Sequence, residues 1–374
     1  MKKLLVIVPY SYLPWYSGGQ KYIGRFLEYL GKETELTVVG TENNDWTLAK
    51  TYKGIPLLRT SFSRYYDRSL VKKISALVQS NHFDAVIWEH PYYWWLAKKI
   101  RRLTGIQTII HTHNIEYQRF RSVGKWWWPI LKFYEKRCFK KADALFFISE
   151  DDQHFALTSW NIPAGKCFVV PFGIDQKEFP ADRSLCRKEL LTRYKMKDDE
   201  AILLFTGLLN YKPNLDALMA ILGEINPLLL QSPLRYKIII CGKGLPEQLH
   251  DLKEFEGQNI IYAGFIHDIE TYFKSADLLL NPVISGGGVK TKIVEAIGYG
   301  ATVISTQSGA KGMNKSVCGN KLIEVRDNAW NEMVQAVLQH ANQNSPTPGI
   351  YYEQYYWVNI VKSLLAALSH QLTG

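Results

Sequence analysis

The sequence predicts an α/β protein of two doubly wound, Rossmann-like domains facing each other across a cleft. Three observations predict it. Short, almost continuously apolar runs alternate with amphipathic stretches of helical length, the pattern of parallel strands covered on both faces. The alternation starts afresh after a polar stretch at 175–200. At 374 residues the chain is too long for one ordinary core and suits two.

In the first half the strand candidates are 4–8, 36–39, 84–88, 107–111, 144–148 and 168–170. The amphipathic stretches between them are 21–30, 68–79, 94–103 and 129–139. Strand, helix, strand in this order implies right-handed βαβ units and a parallel sheet. The second half repeats the theme, with strands at 201–205, 237–241, 260–263, 278–280 and 302–306 and helices at 214–225, 269–274, 290–299 and 328–339. The expected division is an N-terminal domain at 1–175, a second domain at 176–350, and one C-terminal helix at 351–374 returning toward the first. Residues 175–200, with no strong apolar period before Leu190, read as the linker.

Charge is uneven. Residues 1–175 hold 25 Lys+Arg and 15 Asp+Glu, and the remainder holds 20 of each, so the whole excess of +10 lies in the first half. Nine of the eleven tryptophans lie there too. A basic, Trp-rich half joined to a neutral one suggests two tasks. No window of about 20 apolar residues occurs, so no bilayer span is expected. The N-terminal run at 4–9 is too short for a signal peptide and reads as a first strand. Five widely spaced cysteines without a CxxC pair argue for a reducing compartment, and against both a disulfide framework and a Cys-based zinc site.

The chemistry-bearing pattern of the second half is a glycine loop, Gly286, Gly287 and Gly288, between a strand and a helix. Amides at a helix N-terminus favour an anion. Lys290 and Lys292 in the first turn are unfavourable for an isolated helix and sensible beside a di-anion. Phosphate binding is thus favoured over a plain tight turn. Glu295 shares a face with Lys292 and reads either as a ligand of a vicinal diol or as half of an i,i+3 ion pair.

Residues 285–304 (SGGGVKTKIVEAIGYGATVI) resemble the nucleotide-sugar signature of glycosyltransferase family 4, retaining enzymes of the GT-B fold. Residues 170–175 (VPFGID), 206–216 (TGLLNYKPNLD), 242–244 (GKG), 262–265 (YAGF) and 275–282 (SADLLLNP) follow that family's order and spacing. The resemblance implies a ribose ligand at Glu295 and the nucleotide base near Phe265. It implies diphosphate contact near Gly207, and amides facing sugar and phosphate at Gly288 and Val289. Two departures stand out. Gly287 replaces the first Glu of the family's E-x7-E motif, so the donor sugar cannot be carried over. Leu208 replaces its arginine, with Lys212 only approximating the partner lysine, so the charge is expected to shift to Lys290 and Lys292.

In the first half, Gly18 and Gly19 after the first strand resemble the family's N-terminal glycine loop; a simple turn is the rival reading. His111 and His113 form an HxH at a strand end, with both rings on one side. A metal site is disfavoured because no third ligand accompanies them. The resemblance implies His113 facing the donor sugar and acceptor, and His90 as a further residue of the acceptor side. An ordinary strand-end histidine is the alternative for each. The segments 91–102 (PYYWWLAKKIRR) and 124–137 (GKWWWPILKFYEKR), with Trp126 and Trp127, join interface-loving aromatics to basic residues. They suit an anionic membrane surface, or else these aromatics are helix core.

The expected function is retaining transfer of a hexose from a UDP- or GDP-linked sugar to a glycan or lipid-linked acceptor, in cell-surface polysaccharide or glycolipid synthesis. His113, Lys292 and Glu295 are the expected catalytic residues, with no essential cofactor or metal. The expected place is the cytoplasm, at the inner face of the membrane if the Trp-rich segments meet lipid. Nucleic acid is not an expected partner, since no recognition motif is present. Two rival readings remain. A non-hydrolysing sugar-nucleotide epimerase would need clustered acid/base carboxylates and histidines, which the sequence does not display. A non-catalytic nucleotide-sugar or glycan-binding protein is favoured by Gly287 and Leu208.

Overall fold

In the structure, a computed structural model describing residues 1–343 and 345–372, the chain forms two compact units. Unit 1 is Met1–Gly173 together with the C-terminal helix Trp357–Leu372, and unit 2 is Ile174–Tyr356. With that helix counted in, unit 1 carries 26 Lys+Arg against 14 Asp+Glu, so the charge asymmetry is sharper by unit than by half.

Unit 1 is built on β1 (Lys3–Ile7), β2 (Glu35–Thr41), β3 (Lys53–Leu58), β4 (Ala85–Glu89), β5 (Gln107–Thr112), β6 (Ala144–Phe147) and β7 (Cys167–Val169). They form one parallel sheet in the order 3-2-1-4-5-6-7. Val6, Ile7, Val86, Ile87 and Ile110 are at most 1% exposed. Each such side chain contributes about 1.5–3 kcal/mol through burial, which is why these runs lack polar alternation. β3 escapes the sequence reading because it contains Gly54 and Pro56. Both fit an edge strand, and Trp46 occupies the space a Cβ at Gly54 would need.

Unit 2 contains β8 (Ala201–Thr206), β9 (Tyr236–Cys241), β10 (Ile260–Gly264), β11 (Leu278–Asn281), β12 (Thr302–Thr306) and β13 (Leu322–Val325). This sheet is also parallel, ordered 10-9-8-11-12-13. In each sheet the order turns back between two neighbouring strands, β1 and β4 or β8 and β11. The crevice outside their carboxyl ends is where doubly wound sheets bind ligands.

Two expectations need correction. The stretch read as a linker carries a helix, Arg183–Arg193, which buries Cys186, Leu190 and Leu191. Arg187 of that helix pairs with Asp277 at 2.6 Å. Its polar face hid a narrow apolar stripe. The expected single C-terminal helix is two, Gly349–Tyr355 and Trp357–Leu372, divided at Tyr356, whose backbone is extended. Trp357, 1% exposed, stacks on Tyr29 and packs by Tyr22 and Phe172 within unit 1. No helix among the described residues is long and apolar enough to cross a membrane.

Candidate functional site

In unit 2 the site grows from the carboxyl end of β8. Gly207 follows the strand and has no side chain because Asn214 fills the place: a Cβ there would stand 2.7 Å from the Asn214 amide nitrogen. Gly242, at φ +152°, packs against the Gly207 carbonyl, leaving no room for a Cβ either. Asn214 therefore folds back and donates to the Leu208 carbonyl at 3.1 Å. Its Oδ1 faces Lys292 Nζ at 3.5 Å, and the same ammonium donates to the Thr206 carbonyl at 3.1 Å. Lys292 also lies over the Phe205 ring, 4.7 Å from its centre.

The glycine loop arrives from β11. Gly286 (φ +88°) and Gly288 (φ +70°) take the left-handed backbone that glycine allows most cheaply. Lys290 curls back, its ammonium donating to the carbonyls of Gly288 at 3.0 Å and Gly287 at 3.2 Å. The helix Thr291–Gly298 is held at its far end by three hydroxyls. Tyr351 donates to Val294 O, Thr347 to Ile297 O and Tyr352 to Gly298 O, the last a carbonyl at the helix terminus.

Burial, with the charge of Lys290 beside it, pulls Lys292 down to about 7. Burial and Lys311 pull Lys290 down to about 8. Neither lysine has a carboxylate partner among the described residues, an arrangement whose chemistry suits an anion.

Unit 1 presents a different chemistry at the carboxyl ends of β4 and β5. Register places Glu89 opposite His111. Glu89 is 1% exposed and uses both oxygens: Oε1 lies 3.0 Å from His111 Nδ1 and Oε2 2.7 Å from His113 Nε2. Burial alone would push Glu89 up, but His111 and His113 hold it well below the usual carboxylate range. His90 follows Glu89 at φ +64°, a strained conformation for a non-glycine residue. Its ring is 4.2 Å from that of His113, and Tyr10 OH lies 2.8 Å from its Nε2. Glu116 completes the group, 3.3 Å from His90 Nδ1, bonded to Arg119 at 2.6 Å and accepting from Tyr92 OH at 2.9 Å. Against the upward push of burial, His90 and Arg119 hold Glu116 well below the usual range.

Glu89, His111 and His113 are also the described residues whose ligand atoms cluster tightly enough for a metal ion. The facing atoms of this trio are all engaged in hydrogen bonds, and the remaining His111 nitrogen, Nε2, faces Tyr22 OH at 2.8 Å.

Two family models match, Glycosyltransferase Family 4 over residues 16–178 and Glycosyl transferases group 1 over 200–343. The chain belongs to the family 4-like glycosyltransferases. An uncharacterized 44.6 kDa protein in the cps region of Klebsiella pneumoniae is 23% identical over 326 residues, covering 82% of this chain and 75% of that one. Sucrose-phosphate synthase from Thermosynechococcus elongatus superposes with a TM-score of 0.74 at 14% identity, over 100% of this chain and 99% of that chain. Anabaena Alr3699/HepE in complex with UDP gives 0.71 at 16% identity, over 98% and 100%. At such identities the likeness establishes the fold, which is GT-B.

In this glycosyltransferase Gly207, Lys292, Lys290, Gly287 and Gly288 come together, with Val289 between the last glycine and Lys290. Glu295 lies on the same helix as Lys292, 8% exposed. Phe265 lies just beyond β10, 47% exposed, edge-on to His267 and 5.9 Å from Lys243 Nζ. Lys212 does not join the lysine group: Asp216 engages its ammonium at 2.8 Å on the surface. Gly18 and Gly19 form the first turn of the helix Gly18–Glu33, where Ser17 Oγ accepts the Gln20 amide at 3.4 Å and Gln20 Oε1 accepts the Tyr16 amide at 2.9 Å.

Of the two Trp-rich segments, 91–102 is largely core, with Tyr93, Trp94, Leu96, Ala97 and Ile100 buried. The second differs: Trp126 is 82% exposed and Trp127 packs on Phe120. The sequence reading missed Glu89 and Glu116. The sequence displays no convincing carboxylate–histidine cluster and no third ligand beside the two histidines, yet in unit 1 Glu89 joins both His111 and His113. The signal was present, since two adjacent strands end in Glu89–His90 and His111–Thr112–His113, but only register reveals that they meet.

Proposed function

We propose that this glycosyltransferase moves a sugar from a nucleotide-diphosphate sugar to a glycan or lipid-linked acceptor, with retention of configuration, in the synthesis of cell-surface polysaccharide or glycolipid. The observation that carries the reading is the pair of half-buried lysines, Lys290 and Lys292, at the glycine loop of unit 2. A leaving diphosphate needs compensating charge, and fixed donors are worth most where water is excluded. A uridine donor is favoured over a guanosine one because the neighbour HepE was solved with UDP and with UDP-glucose. The cps-region relative supports the polysaccharide assignment.

In the step proposed, the bond between the anomeric carbon and the diphosphate oxygen breaks. The acceptor oxygen bonds to the same face of the carbon, and its proton passes to the departing diphosphate. Lys292 and Lys290 stabilise that diphosphate, Glu295 holds the ribose, and His113 orients a sugar hydroxyl. His90 belongs to the acceptor side. No metal or resident cofactor is required.

The membrane-facing element of this reading is the pair of helices Glu116–Ser122 and Trp128–Lys141. Residues 117–142 hold eight Lys/Arg and a single acid, Glu135. Glu135 is buried, accepts the Glu116 and Tyr117 amides, and is pushed up to about 8 by burial. Val123, Trp126, Ile130 and Phe133 stand exposed among the basic residues. Apolar side chains rimmed by cations suit an anionic leaflet.

The test is incubation with nucleotide sugars and a bacterial lipid extract. Free nucleoside diphosphate is expected only when acceptor is present, and NMR of the product is expected to show the donor's anomeric configuration. Release without acceptor argues for the epimerase or a hydrolase. An inverted product points to the second reading that the Glu89–His113 contact favours, in which His113 removes the acceptor's proton itself.

A further inference from the structure

The buried chain of hydrogen bonds in unit 1 has a direction that can be worked out proton by proton. Tyr22 OH lies 2.6 Å from the Val170 carbonyl oxygen and 2.8 Å from His111 Nε2. A carbonyl only accepts, so the Tyr22 proton is spent on Val170. Burial pushes Tyr22 far up, so the phenol keeps that proton. Nε2 of His111 must therefore donate to Tyr22. At the other side of the ring, Nδ1 faces Glu89 Oε1 at 3.0 Å, and one proton lies between them. On nitrogen it makes an imidazolium–carboxylate pair; on oxygen it makes a neutral pair. In both cases Glu89 Oε2 carries no proton and accepts from His113 Nε2, 2.7 Å away. A proton on Oε2 would leave an imidazolium beside an uncharged acid, a buried charge without compensation. His113 is thus the Nε2–H tautomer. Among the described residues its Nδ1 has no hydrogen-bond partner.

We infer that Glu89 is a positioning residue: it locks His113 as the Nε2–H tautomer, so that Nδ1 is the acceptor His113 offers to a hydroxyl of the sugar or its acceptor. The hydroxyl in that statement rests on the glycosyl-transfer reading above; the tautomer does not. A histidine whose one nitrogen is held by a carboxylate presents a single lone pair in a fixed direction. The His111 branch, anchored through Tyr22 to the main chain at Val170, keeps the carboxylate from rotating. Nothing in the catalytic geometry requires a second histidine on the same carboxylate unless its orientation matters.

The experiment reads ring nitrogens directly. Full-length protein is labelled with 15N at histidine and measured at pH 8, with His113→Asn assigning the signals. His113 is expected to show a protonated Nε2 and an unprotonated Nδ1. In Glu89→Met both shifts are expected to move toward the averaged values of a free imidazole. Turnover is expected to fall about ten- to a hundredfold, with KM for the nucleotide sugar unchanged. Glu89→Gln is the rescue: its amide N–H donates to a neutral His111 and its oxygen accepts from His113, restoring the wild-type shifts and most of the lost turnover. It also serves if the Met variant does not fold. A protonated Nδ1 in the native protein, or native shifts and turnover in Glu89→Met, overturns the inference. A fixed tautomer without any sugar transfer would sink the function reading instead.

Discussion

Lys292 donates its ammonium proton to the carbonyl oxygen of Thr206, 3.1 Å away, the last residue of β8. One side chain thus ties the helix after the glycine loop to the neighbouring strand at the point where the sheet order turns back. The bond is made with a lysine pulled down to about 7 by burial, which a purely structural tie would not need. A neutral donor would serve that tie as well, so a lysine poised to regain its charge when an anion arrives makes sense for a transient diphosphate.

Lys292→Ala is therefore expected to weaken nucleoside-diphosphate binding about ten- to a hundredfold, roughly 1.4–3 kcal/mol, the range of a charge-assisted hydrogen bond. Its salt dependence should fall too. Calorimetry at two ionic strengths checks both. Unchanged affinity and unchanged salt dependence would place the diphosphate elsewhere.

Binding should also take up protons. Without ligand, Lys292 near 7 and Lys290 near 8 are partly neutral at pH 8. A diphosphate recharges them, so roughly one to one and a half protons are taken up at pH 8, and affinity falls as pH rises above the lysines' ligand-free values. The sign for ligand-free stability is opposite. A lysine whose folded value lies below its unfolded value binds fewer protons when folded, so stability rises between about pH 7 and 10. Calorimetry in buffers of different ionisation enthalpy measures the uptake; zero uptake at pH 8 contradicts it.

The two glycines beneath the site are expected to separate stability from binding. Gly242→Ala meets the Gly207 main chain at a φ of +152°, which cannot yield cheaply. It should cost about 1–3 kcal/mol or more and lower Tm by several degrees. Gly207→Ala meets only the end of Asn214. That side chain can swing away, so stability should change little while diphosphate binding weakens through Lys292. Equal effects of the two in thermal melts and in binding would refute this division.

The exposed apolar residues on and before the second basic helix are expected to carry lipid binding. Trp126→Ser with Ile130→Ser and Phe133→Ser should abolish co-sedimentation with phosphatidylglycerol vesicles and leave nucleotide binding intact. Native protein should ignore phosphatidylcholine vesicles. Native protein that binds neither kind, or a triple variant that still binds, ends the membrane proposal.

Much of the fold was legible because buried parallel strands advertise themselves as apolar runs. What escaped was peripheral or edge structure. β3 hid behind Gly54 and Pro56, and the helix Arg183–Arg193 behind its charges. The glycine–lysine site was readable because its parts are contiguous, from Gly286 to Glu295. Glu89 was not, because its partners lie 22 and 24 residues away and meet it only through the β4–β5 register. Trp94 and Trp126 look alike in sequence, yet one is 8% exposed and the other 82%. Helix phase and packing decide that, and composition does not.

The central claim is that the lysines beside the glycine loop receive a nucleoside diphosphate. A thermal-shift panel of nucleosides, mono- and diphosphates and nucleotide sugars tests it most directly. One diphosphate and its sugar conjugates, uridine being favoured, should raise Tm by several degrees. The monophosphate and nucleoside should do far less, and Lys292→Ala should erase the shift. No response to any diphosphate, or an equal response in Lys292→Ala, would contradict it.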